Sequence, residues 1–387
     1  MHGRKLPFLT VAVAWFATSV AASPATRYVS THGADTGDCT LTPCHTIGYA
    51  VGQAAPGDTI MVAPGTYAES VTVGKQLTLD GGGKAPDFGA GVRPQPDHGR
   101  RSATIDASGK DNGIVIAGSA ASGTVLRGFT IENAGREGIF ANQTSGLTIS
   151  DNILRDNDAY GPFSPQCPAS DPDDCGEALH LQSVTNSVVS GNLVRNNVGG
   201  ILLTDEDGPT SGNVITRNRV LDNTKDCGIT LASHFFHLGG PVSPDAGGVY
   251  LNQVLYNTSN GNGAAGIGVF AGPPGAAAWG NVVVGNIANG NGLPGVAIHS
   301  HTPGQNANDN VIAYNSLSGN GPDDDASTVD PAGIVVFSAV DPIPHATVAY
   351  NRIGHEHYGV FTVNAVAVTG LATNTFAHSV DVPVSQH

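Results

Sequence analysis

Gly191-Asn192-Leu193-Val194 and, shortly after it, Gly200-Ile201-Leu202-Leu203 are two short signatures whose recurrence decides the fold of this chain. The second, a Gly or Ala followed by apolar, variable and apolar residues, occurs nine times, starting at Gly113, Gly138, Ala178, Gly200, Gly228, Gly266, Gly295, Gly333 and Gly359. Neighbouring copies lie 22 to 29 residues apart, stretched to 38 or 40 on three occasions. The first signature, Asn followed by apolar residues, falls between them at Asn152, Asn192, Asn213, Asn281, Asn310 and Asn351. Alternation of apolar and polar positions over three to five residues reads as a strand. A base period in the twenties reads as stacked units, each too small to bury its own apolar face. Two or three such strands per unit, cornered by Gly and Asn that tolerate left-handed backbone, form one turn of a parallel β-solenoid. Stacked asparagines can also hydrogen-bond from coil to coil. A β-sandwich would show irregular spacing and hairpin dipeptides instead. The expected class is therefore all-β, a single-stranded parallel β-helix.

Composition agrees. The chain of 387 residues holds 52 glycines, about twice the usual ~7%, and its charged fraction of 13% is about half the usual ~25%. Helical bundles and coiled coils are excluded, and 40% hydrophobic residues exclude wholesale disorder. The net charge of −15 repels nucleic acid and anionic membranes, and disfavours a polyanionic substrate unless a cation intervenes.

Residues 1–21 read as a secretory signal: Arg4 and Lys5 form a basic start, Phe8 to Val20 an apolar run too short to span a bilayer, and Ser19-Val20-Ala21 a small-residue cleavage site. A secreted protein without membrane insertion is expected, with the solenoid over 22–387. Cys39 and Cys44 flank a Pro-containing turn, Cys167 and Cys175 bracket a Pro/Asp/Ser-rich segment, and both pairs read as loop staples of an oxidising compartment. Cys227 is left over, as a buried free thiol.

The entry segment carries a resemblance. Tyr28-Val29-Ser30, Cys39, Pro43-Cys44, Thr46-Ile47, Ala50-Val51, Ala54, Pro56-Gly57-Asp58-Thr59-Ile60 and Pro64-Gly65-Thr66-Tyr67 are similar to the opening of secreted right-handed parallel β-helix proteins of the pectate-lyase-like superfamily. The resemblance covers nearly the whole mature chain. It implies a short amphipathic helix capping the first coil, within a cap over about 22–65, and carbohydrate processing on a furrow of the rod. The same scaffold hosts lyases, hydrolases, esterases, epimerases and adhesins, so it leaves the reaction open.

Successive coils stack at about 4.8 Å, so residue columns follow from aligning the repeats. Taking the Gly as position one, position three points outward: Val115, Phe140, His180, Leu202, Thr230, Gly268, Ala297, Val335 and Phe361. Its small middle predicts a shallow furrow. Residues at and after these strands gather titratable groups: Glu177, His180, Asp205, Glu206, Asp207, His234, His237, His299 and His301. Of these, His180, Asp205, Glu206 and His234 are the catalytic candidates. Glu177, Asp207, Lys225, His237, Phe270, His299 and His301 are the substrate-binding ones. Asp205, Glu206 and His234 could also ligate a divalent cation such as calcium. Three segments interrupt the repeat, 160–175, 235–248 and 304–331, and long loops on a regular scaffold carry function. The stretch 320–325 reads as a mobile rim, and His355-Glu356-His357 as a surface turn.

The expected ligand is a polysaccharide or oligosaccharide. By resemblance the favoured activity is a lyase or C5-epimerase, which needs a base beside a uronate carboxylate and a cation or basic residue to stabilise the anion. Lys225 and Arg195 are the nearest basic candidates. The alternatives are a glycoside hydrolase using paired carboxylates, Asp205 with Asp207 or Glu177, and a non-catalytic glycan-binding solenoid.

Overall fold

The computed structural model describes residues 23–83, 102–157, 176–233, 247–326 and 328–387. The leader 1–21, Cys167, Cys175, His234 and His237 lie outside the described residues. The strands form three long parallel sheets of 12, 11 and 11 members, plus a short three-stranded one, with members taken in turn as the chain coils. One turn shows the pattern. Val214–Thr216 lies in the first sheet, Arg219–Leu221 in the second and Ile229–Ser233 in the third. This is a parallel β-helix. Ile201, Leu203, Ile229, Leu231, Ile267, Val269, Val296 and Ile298 fill its interior, each at most 1% exposed. They are the second and fourth residues of their motifs, the inward positions of the sequence pattern.

Asparagine ladders hold the corners together. Between the first and second sheets, Asn152, Asn192, Asn218, Asn257, Asn286, Asn315, Asn351 and Asn374 form a column. From Asn192 onward each Oδ1 accepts the backbone N–H and the side-chain amide of the asparagine one coil earlier, as in Asn192 N–H and Nδ2 to Asn218 Oδ1 at 3.0 and 2.9 Å, while Asn152 Oδ1 accepts from Phe129 N–H. A second column, Asn157, Asn197, Asn223, Asn262, Asn291 and Asn320, follows the second sheet. A third, shorter one precedes the first sheet at Asn213, Asn252, Asn281 and Asn310. The left-handed residue expected at the corner is the one before the asparagine, not the asparagine itself. Asp151, Arg217, Tyr256, Tyr314 and Tyr350 have φ between 54° and 58°, and Gly191 and Gly285 take the same place. A non-glycine residue there costs about 1–2 kcal/mol, and the ladder bonds offset that strain.

The entry segment closes the rod. Thr26–Val29 begins the 12-stranded sheet before the helix Ile47–Gln53 is reached, so the sheet starts inside the cap. Thr46 Oγ1 accepts from Tyr49 N–H at the helix start, while Ile47, Ala50 and Val51 cover the first coil. Glu69 accepts from the Ile47 and Gly48 amides, both at 2.8 Å, satisfying two donors a helix start leaves open. Cys39 and Cys44 are disulfide-bonded.

The segment 304–331 is not an interruption along its whole length. Asn310–Ala313 and Ser316–Ser318 are ordinary members of the first and second sheets. Only the stretch after Ser318 departs from the repeat, and it is anchored rather than a free rim. Asp323 is 1% exposed, and its N–H donates to Thr328 Oγ1 at 2.8 Å.

The second ladder ends on a carboxylate. Glu356 accepts from the Asn320 backbone N–H at 3.1 Å and from its side-chain amide at 2.9 Å, and burial pushes its carboxyl up to about 7 from an ordinary 4.5. The folded state therefore holds this proton more tightly than the unfolded chain, so the stability it supports is complete below pH 4.5 and is lost as pH rises through about 7. Glu356→Gln is expected to raise the melting temperature at pH 8 by a few degrees and leave it unchanged at pH 4, as read by thermal scans at both values. Asn218→Ala strips a buried side chain that accepts from Asn192 and donates to Val189 and Asn257. A loss of at least about 2 kcal/mol is expected in denaturant unfolding, because buried groups on the coils before and after lose partners.

Candidate functional site

The third sheet carries both candidate clusters of titratable side chains. Its register superimposes Val115, Phe140, His180, Leu202, Thr230, Gly268, Ala297, Val335 and Phe361, the outward column derived from the repeats. Outward does not mean open, however. Leu202, Ala297 and Val335 are buried, and the Phe270 ring lies over Gly268, where an added Cβ would collide with it. The furrow expected from small residues is filled at that rung by the neighbouring column.

Two clusters stand out on this wall. In the first, Glu137 and Glu177 each immediately precede a repeat motif, and the Gly138 amide donates to the Glu177 carbonyl, so the two glutamates occupy neighbouring rungs. His180 follows on the Glu177 strand, its ring against Phe140 at 5.4 Å. His180 Nε2 shares a 2.7 Å hydrogen bond with Thr204 Oγ1, which turns Nδ1 toward Glu137 Oε1 at 3.8 Å. Donor atoms of Glu137, Glu177 and His180 lie within 4.8 Å of one another, and all three side chains are buried. Burial pushes the Glu137 carboxyl upward, but His180 and the Arg136 guanidinium, 3.4 Å away, more than offset it and leave it below its ordinary value. Gly199 faces Glu177, and a Cβ there would come within 3.2 Å of its Oε1, so glycine makes room for the carboxylate.

The second cluster lies four rungs along, about 19 Å at about 4.8 Å per rung. His299 packs edge-on between Phe270 and Phe337, with ring centroids at 5.2 and 5.5 Å. His299 Nε2–H donates to Asp323 Oδ2 at 2.8 Å, and Nδ1 faces Asp325 Oδ2 at 3.7 Å. His301, on the same face two residues on, places its ring 5.3 Å from that of His299. Burial lowers the His299 pKa, but the two aspartates outweigh it and hold it above the ordinary value, whereas burial and the neighbouring His299 hold His301 below.

A family model described as the right-handed β-helix region matches residues 101–312, more than half of the chain. The chain belongs to the right-handed β-helix family. No curated protein matches it by sequence. Among solved structures, this β-helix is similar to the A-module of the mannuronan C-5 epimerase AlgE4 of Azotobacter vinelandii, at 16% identity and a TM-score of 0.55 over 88% of this chain and 91% of that one. It is similar to the DFA-IIIase of Arthrobacter chlorophenolicus A6, at 14% identity and a TM-score of 0.52 over 93% and 86%. PfbA, a surface adhesin of Streptococcus pneumoniae, aligns at 13% identity and a TM-score of 0.50 over 92% of each chain. Such likenesses show the fold. No helix among the described residues is long and apolar enough to cross a membrane.

The β-helix distributes the remaining candidates unevenly. Asp205 is fully buried and accepts from Gly248 N–H at 2.6 Å and Ser233 Oγ at 3.1 Å, tying the end of one coil to the return of the next. Asp207 accepts from Gln182 Nε2 at 2.8 Å and Asn142 Nδ2 at 3.0 Å, and so clasps three rungs. Glu206 is 9% exposed between them. Lys225 is exposed on the turn before Cys227. Arg195 stands in the second sheet beside Arg155, on a different wall. Among the described residues, Arg136 places its guanidinium 3.4 Å from Glu137 Oε1. Neither Arg136 nor Glu137 was singled out from the sequence, although Glu137 precedes its motif as Glu177 does and the same rule applied one repeat earlier selects it. Asp323 and Asp325 lie past the strands, in a stretch with no repeat register to read.

Cys227 is a free, buried cysteine whose thiol is pushed well above its ordinary pKa by burial and by Asp226. Its thiol is expected to stay unmodified by an aromatic disulfide reagent in the native protein at pH 8 and to be modified once the chain is unfolded, as read by mass mapping of the Cys227 peptide.

Proposed function

We propose that this protein is a secreted carbohydrate-active enzyme that cleaves a glycosidic bond by acid/base chemistry, with Glu137, Glu177 and His180 at its reacting centre. The observation that carries this reading is the carboxylate pair: two glutamates on adjacent rungs, with donor atoms inside 4.8 Å together with those of His180, withdrawn from bulk water. Retaining glycosidases hold their two carboxyl groups about 5–5.5 Å apart, one as nucleophile and one as acid then base. Glu137, kept ionised beside Arg136 and His180, takes the nucleophile's part and Glu177 the proton donor's. His180, fixed by Thr204, orients Glu137. The net charge of −15 favours a neutral glycan over a polyanion. The leader-like residues 1–21 support secretion.

A second reading, a uronate lyase or C5-epimerase, is supported by the half-open imidazole pair His299 and His301 beside Phe270 on the same wall. Incubation of the mature chain with neutral and acidic polysaccharides separates the readings. New reducing ends without near-ultraviolet absorption are expected. Unsaturated products would replace the first reading by the second, and binding with no product would leave a glycan-binding solenoid. On a substrate that is cleaved, Glu137→Gln and Glu177→Gln are each expected to lower kcat by about 10²–10⁴-fold with KM little changed, in folded protein checked by thermal melts.

A further inference from the structure

We propose that His299, His301 and Asp325 hold one first-row divalent transition-metal ion of the zinc class, with Asp323 orienting His299. The proposal does not depend on the roles given to Glu137 and Glu177, which lie five and four rungs away.

The donor set comes from two elements. His299 and His301, two residues apart at the end of the strand Val296–Ser300, project from one face, and Asp325 reaches them from the stretch after Ser318. One donor atom from each lies within 4.8 Å of the others. His299 is fixed before any ligand arrives. Its Nε2–H is committed to the buried Asp323, itself held by Thr328 Oγ1 and by the Ala326 amide on its Oδ1. Phe270 and Phe337 pin the ring from both sides. Such a carboxylate on the far nitrogen is the usual outer partner of a metal-bound histidine, setting the tautomer and turning the other nitrogen to the ion.

The free nitrogen meets a gap of the right size. His299 Nδ1 to Asp325 Oδ2 is 3.7 Å, too long for a hydrogen bond. Two ligands at about 2.0–2.1 Å from one tetrahedral ion stand about 3.4 Å apart, so a small closing movement of the exposed Asp325 completes the geometry. The chemistry of the donors selects the ion. Calcium takes six to eight oxygens, whereas two imidazoles and one carboxylate suit zinc and its first-row neighbours. His301 is half-buried and Asp325 exposed, so a fourth position faces solvent, as at open sites.

The test is titration of the chelator-stripped mature protein with Zn²⁺ by calorimetry and with Co²⁺ by visible absorption. One ion per chain, with the intense visible bands of tetrahedral Co²⁺, is expected. His301→Ala and Asp325→Asn, the latter at an exposed position that leaves the fold intact, should each weaken binding by at least about 10²-fold. Asp323→Asn should keep the one-to-one stoichiometry and weaken binding about 10–100-fold. His180→Ala should bind as the wild type does. The proposal is overturned if the wild type binds no zinc, if Asp325→Asn and His301→Ala bind it undiminished, or if His180→Ala abolishes binding while Asp325→Asn does not.

Discussion

Rung-to-rung hydrogen bonding at the corners is the interaction on which the rest of this molecule depends. A parallel rod of three-residue strands has too little ladder per coil to fix its own register, and each corner must also carry a left-handed residue. The buried asparagines solve both at once. A typical Oδ1 accepts a backbone and a side-chain amide from the asparagine one coil earlier, while its Nδ2 reaches a strand carbonyl of that same coil, as Asn218 does to Val189. A slip by one residue would break every member of the column together, so the register is cooperative along the rod. That is why tyrosine and arginine are tolerated at left-handed corners such as Tyr256 and Arg217.

Fixed register turns a one-dimensional repeat into a surface. Once coils superimpose, side chains far apart in sequence become neighbours: Glu137 beside Glu177, and Phe270 beside His299 and Phe337. The third sheet thereby holds two distinct centres instead of the single continuous one that the clustered histidines and acids of the sequence evoke. One is walled by buried carboxylates, the other by aromatic edges and a histidine clamped between aspartates. Between them, Asp205 and Asp207 use their carboxylates to tie coils together.

The solenoid and the outward column through His180 were legible from the repeats, because period and glycine placement dictate strand, corner and face, whereas the capping helix followed from the resemblance of the entry segment and the Cys39–Cys44 bridge from the short Pro-containing turn between the two cysteines. The site was legible only in part. Glu177, His180 and His299 could be placed because they belong to strands with a readable register, and His301 because it directly follows one. Asp323 and Asp325 could not, since they follow Ser318, where the repeat lapses and only three-dimensional packing determines which strand they meet. The furrow was misjudged for a related reason: column arithmetic counts the residue in its own row, whereas the Phe270 ring leans across to cover Gly268.

By itself, then, the sequence determined a parallel β-helix and the order in which its side chains stack, because both follow from local periodicity and the backbone freedom of glycine. Only the tertiary structure decided which polar groups became ladder or clasp and which were left facing one another. That choice rests on distances and burial across coils. It separates Asp205, whose carboxylate ties two coils, from the Glu137–Glu177 pair, whose donor atoms are brought together with those of His180 on adjacent rungs.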